Sequence, residues 1–164
     1  DQDIGIRNTY RNFVYAMAFP TMGSLMRNHQ GINTPFPPDE AAKKGISLYD
    51  YLMANDTGII RMSYFAGFFK VLANDLDEYV PSTRLLSRGE CGRFGGNYAL
   101  FIEGGGTSTI DLSGVTGKFA ATVLDIRTGE RKELKNIESG GKVSIETGLR
   151  SDAAVLLIKD DNLQ

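Results

Sequence analysis

Between Ser87 and Gly95 the chain changes character, and this limits its architecture more than any single motif does. All five Met and twelve of the sixteen aromatic residues precede the change, whereas thirteen of the nineteen Gly lie at or beyond Gly89. The first part reads as helices with a heavy apolar load. The second reads as short strands separated by glycine turns. Strands that follow helices without alternating with them point to separate α and β modules. The expected fold class is therefore α+β: a helical segment over residues 1–88, then a small antiparallel β-sandwich over residues 89–164. A length of 164 residues allows one ordinary domain or two small ones.

In the first part, Ile6, Tyr10, Phe13, Val14 and Met17 recur at helical spacing, and Pro20 closes that helix or sits just past it. Thr34-Pro35-Phe36-Pro37-Pro38 is incompatible with regular helix, so residues 23–38 read as a long loop. Ser47, with Asp50 three residues later, resembles a capping box for a short helix to about Met53. Asn55-Asp56-Thr57 offers caps for the next helix. There Ile59, Met62, Phe65, Phe69 and Leu72 form one stripe, and Ile60, Tyr64, Phe68 and Val71 a second beside it. A helix apolar on two stripes needs cover on most of its sides. Asp75-Leu76-Asp77-Glu78 reads as its solvated end.

The second part predicts six strands: 97–103, 107–112, 118–126, 131–137, 142–146 and 153–159. Their spacing suits an antiparallel sandwich or barrel. Val143 and Ile145 alternate with Lys142, Ser144 and Glu146, as in a half-buried strand. Ala153 to Lys159 is nearly continuous in apolar residues, which suits a central strand.

Composition excludes several chemistries. A net charge of -2 gives no basic surface for nucleic acid. No apolar stretch is long enough to cross a bilayer, so no membrane partner is expected. The single Cys (Cys91) and single His (His29) exclude a disulfide framework, a multi-cysteine zinc site and any site needing two histidines. No cofactor and no metal are expected. The absence of Trp weakens the case for a Trp-lined sugar platform. Cys91 stands beside Glu90 and Arg93, but its only His is far away in sequence, so a structural thiol is expected rather than a nucleophile. Gly104-Gly105-Gly106 lacks the Gly-Lys-Ser/Thr ending of a phosphate loop and reads as a hairpin turn. Glu103, Asp111 and Asp125 match no calcium-loop spacing. No pair of carboxylates is recognisable as catalytic. The most polar cluster of the long loop is Arg27-Asn28-His29-Gln30. These side chains make the directional hydrogen bonds that sugar hydroxyls require, so they are the candidate substrate-binding residues.

Residues 97–159 contain Tyr-Ala-Leu-Phe-Ile, a glycine turn, Ile-Asp-Leu-Ser-Gly, Ala-Thr-Val-Leu-Asp-Ile-Arg-Thr-Gly-Glu and Ser-Asp-Ala-Ala-Val-Leu-Leu-Ile. This run resembles the C-terminal β-sandwich of apiosidase-like glycoside hydrolases, also labelled a collagen-binding domain. The family's Trp-Phe-Asp-Pro-Arg-Thr-Gly turn is matched at Asp125, Arg127, Thr128 and Gly129; the Trp is absent and Ile126 stands at the Pro position. The resemblance implies that residues 7–19 are the late helix and last strand of a (β/α)₈ barrel. It makes 59–72 the last outer helix and Tyr79-Val80-Pro81 the exit to the sandwich. Active sites of such barrels lie at the C-terminal ends of the strands, so Arg27, Asn28, His29 and Gln30 would border a cleft for an oligo- or polysaccharide.

The family's catalytic carboxylates lie on earlier strands, so the resemblance carries no catalytic residue onto this chain. It implies the C-terminal portion of a carbohydrate-active hydrolase, inactive alone, with the rest of the barrel as partner and an extracellular or periplasmic location. Asp1-Gln2-Asp3 has neither an initiator Met nor a signal segment, which suggests a removed leader or a chain cut from something longer. Two other readings stand beside this one. A stand-alone sandwich that binds a glycan or a protein would present planar aromatics, yet alternation turns several of Phe94, Tyr98, Phe101 and Phe119 inward. A structural or assembly protein would dimerise by burying its apolar helix against a copy of itself.

Overall fold

The structure is a computed structural model and describes residues 2–16, 37–55 and 57–160. Among the described residues, four α-helices come first: α1 (Gln2–Ala16), α2 (Pro37–Lys43), α3 (Leu48–Asn55) and α4 (Thr57–Phe69). Lys70–Glu78 continues α4 as a 3₁₀ helix. Nine strands follow: β1 (Tyr79–Pro81), β2 (Glu90–Phe94), β3 (Asn97–Ile102), β4 (Thr107–Asp111), β5 (Lys118–Asp125), β6 (Arg131–Glu133), β7 (Ile137–Glu138), β8 (Lys142–Glu146) and β9 (Ala153–Asp160). The class is α+β, a helical segment followed by an antiparallel sandwich.

Local chemistry explains the helix ends. The Ser47 hydroxyl accepts the Asp50 N–H at 3.0 Å and donates to the Asp50 carboxylate at 2.6 Å, capping α3. The loop expected over 23–38 is corrected at its end, because α2 starts at Pro37. Proline is tolerated in a first turn, where the missing N–H would have no helical partner, and Asp39 and Glu40 there suit the helix dipole. Met17, Pro20 and Asp56 lie outside the described residues. The Asp75–Glu78 end is 3₁₀ and only partly solvated. Asp77 and Glu78 are exposed, but Asp75 accepts a hydrogen bond from Asn97 Nδ2 at 2.8 Å.

The large sheet is antiparallel in the order β1-β2-β3-β9-β5-β6, with β7 also paired to β5; β4 and β8 form a separate two-stranded sheet. Five of the six expected strands are present, and β9 is central, paired on both sides; the strand expected over 131–137 is corrected to two short ones, β6 and β7, which pair with different stretches of β5. Strands β1 and β2 were not expected. The hairpin reading of Gly104–Gly106 is corrected: β3 pairs with β2 and β9, whereas β4 pairs with β8. The three glycines carry the chain from one sheet to the other, each at positive φ (69°, 61° and 75°). At Gly105 a Cβ would come within 2.5 Å of the Leu149 carbonyl oxygen, so the close approach requires glycine.

Alternation along the strands builds two cores on opposite faces of the large sheet. Phe94, Ala99, Phe101, Leu124, Ala154 and Leu156 face the helices and pack with Ile6, Tyr10, Phe13, Val14, Phe65, Phe68, Phe69 and Leu72. Cys91, Tyr98, Leu100, Ile102, Phe119, Val123, Val155 and Leu157 face the other way and pack with Ile110, Leu112 and Ile145 around the small sheet. The apolar helix therefore finds its cover within the chain: Phe65, Phe68, Phe69 and Leu72 are buried, while Val71 is exposed.

Candidate functional site

Arg27, Asn28, His29 and Gln30 lie outside the described residues. The described helix before them ends against the sheet. The carbonyl of Val14, in its last turns, accepts the Tyr79 hydroxyl at 3.1 Å. The same carbonyl passes so near Gly92 that a Cβ there would lie 2.4 Å from its oxygen.

The Asp125–Glu130 turn is a docking element. Asp125 Oδ1 accepts the N–H groups of Arg127 at 2.8 Å and Thr128 at 3.3 Å. Its backbone carbonyl accepts the Gly129 N–H at 2.8 Å, and its other carboxylate oxygen accepts the Ser151 hydroxyl at 2.9 Å. Gly129 has φ 78°, and a Cβ there would lie 2.7 Å from the Tyr64 ring of α4. Two residues on, the Arg131 guanidinium lies 5.6 Å from the centre of the Phe68 ring. The turn and the next strand thus clasp α4, and this accounts for Asp125 and Gly129 in structural terms.

Cys91 is fully buried, and burial pushes its thiol up to about 12. It is therefore protonated at neutral pH and is not a nucleophile. Glu103, Asp111 and Asp125 each engage different protein groups: Arg7, Ser113 and the turn above. Two hydrogen bonds from Ser113 hold the exposed Asp111 carboxyl below its ordinary value.

The cluster that sequence reasoning missed joins α1 to the ends of β2 and β3. Arg7 donates from Nε to Asp152 at 2.6 Å and from Nη1 to Glu103 at 3.1 Å. Asp152 also accepts the Gly104 N–H at 2.7 Å, which ties the glycine crossover to the helix. One turn further along α1, Arg11 pairs with Glu90 at 3.1 Å. Glu90 Oε2 accepts the Thr83 hydroxyl at 3.1 Å. Arg88 donates to the carbonyls of Glu103, Gly105 and Thr107. Between these groups runs a groove of about 340 Å³ lined by Arg11, Arg88, Gly89, Glu90, Phe101 and Glu103. Its signal in sequence was the spacing of Arg7 and Arg11, four residues apart beside the apolar stripe of α1.

No family model and no curated protein matches the chain. Solved structures do. One, a glycoside hydrolase, has a TM-score of 0.54 and 16% identity over 70% of this chain. Another, a family 5 glycoside hydrolase from Bacteroides vulgatus, has a TM-score of 0.54 and 19% identity over 74% of this chain. The chain spans 28% of the length of each. At such identities the likeness is one of fold: the chain has a glycoside hydrolase-related fold.

Proposed function

We propose that this chain is the C-terminal portion of a carbohydrate-active glycoside hydrolase of the apiosidase-like kind. In this reading, residues 1–88 end a (β/α)₈ barrel, and residues 89–164 form an accessory sandwich that packs on that barrel and stabilises it. The observation that carries the reading is the join between the two: the motif turn at Asp125–Gly129 rests on Tyr64 of the apolar helix. The exposed apolar residues Ile46, Leu48 and Tyr49 favour further protein cover on the helical side. Arg27, Asn28, His29 and Gln30 border the cleft and hydrogen-bond an oligo- or polysaccharide there. Two carboxylates outside this chain perform the hydrolysis, retaining or inverting according to their separation. The location proposed is extracellular or periplasmic.

The rival binding-module reading lacks the aromatic stacking face it would need. Phe94, Tyr98, Phe101 and Phe119 are all buried, so none offers a ring to stack on a sugar. The self-dimer reading is likewise disfavoured, because the sheet already covers the apolar helix.

The test is the intact mass of the native gene product, with an assay of its hydrolysis of a polysaccharide panel. A product well above 17.9 kDa that cleaves glycosidic bonds, while this chain alone does not, supports the proposal. A native product of this mass without hydrolase activity overturns it.

A further inference from the structure

The groove between α1 and the ends of β2 and β3 holds more hydrogen-bonding capacity than the described residues use. Glu103 gives one oxygen to Arg7, and its side chain is 60% exposed. Glu90 meets two Arg11 nitrogens at Oε1 and the Thr83 hydroxyl at Oε2, three partners for the roughly four lone-pair sites of a carboxylate. Arg11 directs Nε and Nη2 at one oxygen of Glu90 and is 52% exposed. The lining charges cancel, Arg11 and Arg88 against Glu90 and Glu103, so the groove concentrates neither anions nor cations. Phe101 is 1% exposed and forms the floor without offering a ring face. Donors and acceptors therefore stand side by side, and their ion pairs hold them in place before any ligand arrives.

A hydroxyl both donates and accepts, and neighbouring hydroxyls match such an alternation. We propose that this groove binds an uncharged, polyhydroxylated ligand of sugar size, with Arg11 donating and Glu90 and Glu103 accepting. The site is distinct in sequence from residues 27–30. It needs no catalytic group, so a failure of the hydrolase reading leaves it standing.

The experiment is an NMR titration of the 164-residue chain with methyl β-D-glucopyranoside, methyl β-D-xylopyranoside and methyl β-D-mannopyranoside, with sodium sulfate and calcium chloride as ionic controls. Saturable shifts of the Gly89, Glu90 and Glu103 amides with at least one glycoside are expected. Glu103→Ala and Arg11→Gln should each weaken binding about tenfold. Both side chains are at least half exposed, so unchanged spectra elsewhere would verify folding in the variants. No shift with any glycoside, saturation by sulfate or calcium alone, or unchanged affinity in both variants overturns the proposal.

Discussion

The two faces of the large sheet differ in how they are covered. The aliphatic face is closed by nearby sequence: its buried residues all lie between Leu86 and Leu157, and the small β4–β8 sheet lies over it. The other face is aromatic and closed from far away. The Phe13 ring stacks on Phe94 at 5.5 Å, and it meets Phe65 at 5.2 Å and Phe69 at 4.7 Å. The sandwich is thus complete on one side and dependent on the helical segment on the other. The difference teaches that the large sheet is built around its contact with the helices.

The strongest way to break this comparison is to produce residues 89–164 alone. That piece keeps the aliphatic core except Leu86 but bares Phe94, Phe101, Leu124 and Leu156, and it lacks β1. It should self-associate and bind a hydrophobic dye, as judged by size-exclusion chromatography and dye fluorescence. A soluble two-state monomer would show that the faces are independent. Next in size, Phe13→Ala should cost about 3–5 kcal/mol and Ile110→Ala about 2–5 kcal/mol. Both should lower one shared urea midpoint. A biphasic curve for either variant would separate the faces.

Gly129→Ala forces a side chain into positive φ and against Tyr64, at a cost of about 1–3 kcal/mol. Adding Tyr64→Ala should recover part of that loss in a double-mutant cycle, and strict additivity would deny the contact. Asp152→Ala removes the acceptor of both Arg7 and the Gly104 N–H, and should cost about 1–3 kcal/mol by thermal unfolding.

A further effect is one of pH. Burial raises Cys91 from 9.0 to about 12, and Tyr79 from 10.0 to about 12. The folded state holds these protons more tightly than the unfolded chain. Their contribution to stability is therefore intact below about pH 9 and is lost as the pH rises toward about 12. Urea midpoints across that range should fall, and Cys91→Ala should flatten the decline. An unchanged slope in that variant would mean that Cys91 is not so deeply buried.

What could be read from sequence was set by local rules. The helical stripe of α1, the Ser47 cap, the alternation in β8 and the apolar run of β9 each follow from neighbours a few residues apart. The inward turn of Phe94, Tyr98, Phe101 and Phe119 follows from the same alternation. The glycine run at 104–106 misled because a tight turn looks alike whether the next strand pairs with the last or leaves for another sheet; that depends on β8, some forty residues later. Strand β2 was hidden by Gly92, whose missing side chain admits the α1 backbone. The Arg7–Asp152 pair joins residues from opposite ends of the chain, which no local pattern announces. Of the candidate site, the residue types at 27–30 pointed to hydrogen bonding, while the groove beside Arg11 required tertiary pairing to appear.

The most direct test of the account is native-state hydrogen exchange of the whole chain at increasing urea, following amides of α4 and β9 together. If the aromatic face binds helices and sandwich into one cooperative unit, the slowest amides of both elements will converge on the same opening free energy. If α4 opens well below β9, with β9 fully protected, the helical segment is a detachable layer and the central claim is contradicted.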